Sequence, residues 1–224
     1  MIITAFVRNE KAQVMFSIIF ELLVLGLAGT VLLWISNTFI IQNPSVPIFR
    51  LISSLASILI LTIFLTIKKP SLQNIGLSLT DVNRKSRLVY LIGFILIIVL
   101  FITSFFFMDF FNIAQNIRFG IFCPIFEEII FRGYIWHKLK KSKYDDISII
   151  FITGALFGLF HLAYYYEIAY ATSFFEDAPS MFKIMQNKVL INIGYGFLLG
   201  FIRYKSKNLY LTLIIHSIGN ILGK

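Results

Sequence analysis

Residues 88–108 read LVYLIGFILIIVLFITSFFFM, 21 positions without a single charged side chain. At about 1.5 Å per residue such a run is about 31 Å long as a helix, close to the roughly 30 Å hydrocarbon thickness of a bilayer. It lacks the alternation of apolar and polar residues that a membrane barrel strand requires. In lipid every backbone N–H and C=O must be satisfied within the protein, so an unalternated run is a helix. Six further windows read the same way: 14–35, 51–67, 119–136, 147–165, 189–202 and 209–222. The last two, at about 21 Å each, are short for a span, so the count lies between six and eight. The expected fold is an all-α, polytopic bundle of about seven transmembrane helices, forming a single transmembrane domain over 1–224. The run at 14–35 follows Arg8 and Lys11 in the manner of a signal peptide, but it lacks a small-residue cleavage site and reads as a retained helix.

The composition agrees. The chain has 224 residues, 58% hydrophobic and 14% charged, with a mean hydropathy of +0.85. That charge content is too low to cover a soluble domain of this length. The net charge of +9 does not point to nucleic acid, because the basic residues fall in short connections between apolar runs, where anionic headgroups attract them. One set of alternate connections, including Lys68, Lys69, Lys138, Lys140 and Lys205, holds 14 basic residues. The other holds 5: Arg50, Arg118, Lys183, Lys188 and Lys224. The bias predicts a multi-pass cell-membrane protein with a cytoplasmic N-terminus and an external C-terminus. The connection at 68–87, with Pro70, Asn74, Gly76, Asp81 and Asn83, reads as a polar surface loop. Tyr164, Tyr165 and Tyr166 read as an interfacial belt, and Glu167 as part of an external loop. The lone Cys123 excludes an intrachain disulfide and reads as buried and inert.

Ionisable groups at membrane depth are costly, and each is a functional candidate. They are Glu21, Glu127, Glu128, Arg132, His161 and His216, with Asn220 as a polar companion. Glu128 and Arg132 are four apart, on one helix face, and can pair. Glu127 is turned about 100° away and needs a partner from another helix. Phe157 and His161, and His216 and Asn220, are also four apart, so each pair shares a face. Counted from the outer ends of their spans, Glu127 lies about 12 Å deep, His161 about 6 Å and His216 about 9 Å. They can therefore meet. A carboxylate beside an imidazole in a water-poor cavity is general-base machinery, and a second imidazole with an amide can stabilise an oxyanion. Water-mediated hydrolysis of an amide needs nothing more. Glu21 either lines a cleft or pairs with another group, and Phe157 reads as the wall beside His161. Gly154 and Gly158 suit close helix packing.

The string Glu127-Glu128-x-x-x-Arg132-Gly133, followed by Phe157-x-x-x-His161 and His216-x-x-x-Asn220, resembles the three motifs of the CPBP/Abi family. That family comprises type II CAAX prenyl endopeptidases and bacteriocin-processing or immunity proteins. The resemblance runs from about residue 121 to residue 220, within a catalytic core expected over 119–222. It implies an intramembrane endopeptidase in which Glu127 activates water with His161, His216 and Asn220 bind the oxyanion, and Glu128 and Arg132 support the site. No cofactor is expected. Zinc, for which two histidines and a glutamate could converge, is disfavoured by the lack of His-Glu-x-x-His and by Arg132 nearby. The implied partners are a peptide or membrane-protein substrate, the bilayer and possible membrane proteins. The competing function is a scaffold or bacteriocin immunity protein that binds without cutting. A transporter would need polar residues along a whole path, which the first three helices lack.

Overall fold

The computed structural model describes residues 10–80 and 82–223, so Arg8, Asp81 and Lys224 lie outside the described residues. These residues form seven helices and, among them, no strand. Helix α1 runs Glu10–Ile40, ending in a wide π turn; α2 is Val46–Lys68 and α3 is Arg84–Phe107. Helix α4 covers 110–141, α5 is Asp146–Thr172, α6 is Met181–Ser206 and α7 is Tyr210–Leu222. Four of them, α1, α2, α3 and α5, are long and apolar enough to cross a membrane. The chain is an all-α membrane protein.

Short polar side chains start the helices. Asp109, Asn83 and Asp145 accept the amides of Asn112, Ser86 and Ser148, satisfying donors that a helix leaves free at its start. At Asp145 the Ser148 hydroxyl and amide hold the carboxyl below the usual carboxylate range.

Helix ends differ from the apolar windows. The sixth is not a short span of 14 residues but a 26-residue helix, because Lys183, Asn187 and Lys188 continue it before the apolar run begins. The fifth continues through a tight 3-10 turn at His161–Tyr164 to Thr172, so Glu167 lies in a helix and not in an external loop. The seventh stays short at 13 residues. The 68–87 connection is not wholly at the surface: Ile75 is buried against Gly133, and Leu209 donates its amide to the Gly76 carbonyl at 2.9 Å. Gly76 sits at φ +80°, where an added Cβ would also strike the Arg203 guanidinium.

Helix α4 runs through the middle and α3 lies at the edge. Pro124 has no N–H for the carbonyl four residues back, and α4 widens into π turns at Asn116–Phe122 and again at Ile129–Ile135. Helices α5 and α6 touch at their backbones: a Cβ on Gly196 would stand 2.8 Å from Gly154, and one on Gly154 would enter the Phe197 ring. At one end Glu21 gathers Lys68 (2.5 Å), Lys138 (2.8 Å) and the Tyr134 hydroxyl (3.2 Å), joining α1, α2 and α4. Glu21 is a paired residue.

Candidate active site

Two adjacent glutamates on α4 face different partners. Glu128 is fully buried and holds Arg132 Nη1 at 2.9 Å, one turn on. Arg132 donates its Nη2 to the Gly196 carbonyl at 3.0 Å, and its guanidinium lies 4.3 Å from the centre of the Phe157 ring. Its own carbonyl accepts from Arg203 Nε at 3.0 Å. The ion pair thus ties α4 to α6. Left alone, either partner would cost about 3–5 kcal/mol as an uncompensated buried charge.

Glu127 is turned toward α5 and α7. Its Oε1 accepts the Tyr164 hydroxyl at 2.7 Å and lies 4.0 Å from His161 Nε2, and its Oε2 lies 3.6 Å from His216 Nε2. Both rings are fixed from behind. His161 Nδ1 is 2.8 Å from the Phe157 carbonyl, which can only accept, so that nitrogen carries the proton and Nε2 offers a lone pair. His216 Nδ1 donates to Glu128 at 2.9 Å. Phe157, fully buried, stands edge-on to His161 and His216, with ring centres 4.9 and 5.9 Å away. The second glutamate holds the second histidine, and a backbone carbonyl holds the first.

These groups open into a cavity of about 400 Å³. Phe119, Cys123 and Glu127 line it from α4, His161 and Tyr164 from α5, and His216 and Asn220 from α7. The Asn220 amide donates to the Phe119 carbonyl at 2.8 Å, fastening α7 to α4 at the cavity wall. The gaps of 4.0 and 3.6 Å between Glu127 and the rings are too long for direct hydrogen bonds, and spacing of that kind suits a bridging water.

Sequence patterning missed three features. Tyr164 is not part of an interfacial belt; it points inward onto Glu127. Arg118 is not a loop residue: it is buried and forks onto Glu167 through Nε (3.1 Å) and Nη2 (2.9 Å), with Nη1 on Ser57 at 3.0 Å. Arg50 and Lys188 line the cavity from α2 and α6. A 49-residue separation between Arg118 and Glu167 leaves no local trace; the only available signal was that each charge adjoins a long apolar run.

A family model described as Type II CAAX prenyl endopeptidase Rce1-like matches residues 92–222. The chain belongs to that family. No curated protein and no solved structure matches it. The match makes this an Rce1-like, CAAX-type intramembrane protease by family, and it spans all the residues around Glu127 just described except Arg50. Among the described residues, no three His, Cys, Asp or Glu side chains are grouped as ligands. The spare carboxylate, Glu128, is already bound by Arg132 and His216.

Proposed function

We propose that this protein is a glutamate-type intramembrane endopeptidase that hydrolyses a peptide or membrane-protein substrate with water held between Glu127 and His161. The observation that carries the proposal is that Glu127 faces two histidine Nε2 atoms, at 4.0 and 3.6 Å, at the wall of one cavity. A water bridging Glu127 Oε1 and His161 Nε2 directs both its O–H groups at acceptors, leaving an oxygen lone pair free to attack. As the oxygen bonds to the scissile carbonyl carbon, its proton passes to Glu127. The carbonyl becomes an oxyanion. When protonated, His216 donates from both nitrogens, Nδ1 to Glu128 and Nε2 into the cavity, where the spare Asn220 N–H can join it on that oxyanion. Collapse breaks the C–N bond, and the proton on Glu127 goes to the leaving amine. Glu128 and Arg132 act through position: they hold His216 and the turn of α4 beneath it.

The active unit is a single transmembrane domain, with the catalytic core over 119–222 and the remaining helices supporting it. The N-terminus is cytoplasmic and the C-terminus external, as the basic connections favour. The family description points to a prenylated peptide; a secreted peptide precursor would present the same amide. The alternative is a scaffold or bacteriocin immunity protein, which binds a membrane partner without cutting it. Glu127→Gln decides between them, because it keeps the size of the side chain and removes the base. Expected is a fall of about 10²–10⁴ in hydrolysis at unchanged protein level. A biological effect that survives the substitution intact would establish the scaffold.

A further inference from the structure

Two cations, Arg50 and Lys188, and two carboxylates, Glu127 and Glu167, line the cavity in front of Glu127. Glu167 is committed to Arg118, which grips both of its oxygens. That leaves Arg50, whose Nη1 is only within 3.8 Å of the same carboxylate and whose buried Nε has no hydrogen-bond partner. Lys188 lines the same cavity and has no ion-pair partner among the described residues. The two cations gather on one ring: the Arg50 guanidinium carbon is 4.7 Å from the centre of Phe119, and the Lys188 ammonium 6.0 Å. Phe119, Cys123 and Glu127 succeed one another every four residues along the cavity-facing side of α4. The cation pair and the proposed base therefore share one face, roughly two turns apart.

An arginine held only loosely by its carboxylate and a lysine with no ion-pair partner among the described residues, side by side at one cavity wall, can both take up an anion in use. From these placements we infer that Arg50 and Lys188 form a carboxylate-binding subsite, which holds a negatively charged end of the substrate peptide while its scissile amide lies at Glu127. Arginine suits the task because its planar edge gives two parallel N–H donors to a carboxylate, and lysine adds a mobile point charge. A lipid phosphate has similar chemistry, but a headgroup lodged there would fill the cavity that the substrate must enter. The subsite rests on the hydrolase function proposed above and names part of its specificity.

The test uses the full chain with Glu127→Gln, so that bound peptide is not consumed, in nanodiscs of phosphatidylcholine. The probe is a fluorescent S-prenylated peptide made with a free C-terminal carboxylate and, separately, as the C-terminal amide. The acid should bind at least tenfold more tightly than the amide. Adding Arg50→Gln or Lys188→Gln should bring the acid down toward the amide while amide binding stays unchanged, which also reports that the variants fold. Equal affinity for acid and amide, including no binding of either, overturns the subsite. So does a preference that persists when both cations are gone, or one that anionic phosphatidylglycerol abolishes, since the anion is then a headgroup. Cleavage by the Glu127 protein reads the other question. Acid preference without cleavage removes the hydrolase and keeps the subsite as a binding site; equal cleavage of acid and amide removes the subsite and keeps the hydrolase.

Discussion

Helices α3 and α4 follow one another in the chain and solve opposite problems. Helix α3 buries only Tyr90, Gly93 and Ser104, and most of its apolar surface faces outward. It meets α7 where Gly93 admits Ile214, and where Tyr90 stacks on Tyr210 and receives the Asn208 amide at 2.8 Å. Helix α4 buries Asn116, Arg118, Glu127, Glu128 and Arg132. The outward-facing helix has little that is polar to satisfy. The central one is stable because nearly everything polar in it has a partner, and Glu127 is the exception in kind: Tyr164 reaches it, but both histidines stop short, leaving room for a reactant.

The contrast can be broken from either side. The largest loss is expected for Arg132→Leu, which leaves Glu128 buried without its cation: about 3–5 kcal/mol, read as a lowered unfolding temperature in detergent. Next is a charge placed where none is tolerated. Ile98, 56% exposed on α3, becomes costly as Ile98→Lys, by about 2.5–3.5 kcal/mol near a helix centre, and should reduce membrane insertion; Ile98→Leu should change stability by less than about 0.5 kcal/mol. If the two Ile98 variants behaved alike, α3 would not face lipid. Tyr164→Phe removes a 2.7 Å donor from a buried carboxylate and should cost about 1.5–3 kcal/mol, measured by the same unfolding assay. The smallest effect belongs to strong chelation of the purified protein. Hydrolysis should be unchanged, and a loss restored by added zinc would overturn the water-only mechanism.

What the sequence made legible follows the same division. Long uncharged runs announce helices, and Glu127, His161 and His216 stand out because charge is conspicuous in such runs. Helix ends were harder, since Lys183 and Lys188 extend α6 while resembling loop residues, and lipid burial gives no pattern at an interface. Tyr164 was misplaced for a related reason: three successive tyrosines look interfacial, and only the tight turn at His161–Tyr164 rotates the first of them inward. The Arg118–Glu167–Ser53 cluster needs three helices to exist at all, so no single stretch could announce it.

The widened turns of α4 carry one more consequence. Each acts as a one-residue insertion in the helical ladder, and together they bracket the six residues Cys123–Glu128. Excising one residue from Ile129–Ile135 would therefore restore ordinary winding and leave the stretch beyond it on the same face. Winding all of these residues as an ordinary helix would instead turn Lys138 about 100° away from Glu21. The phase of a single helix is therefore what keeps two separate sets of charges aligned.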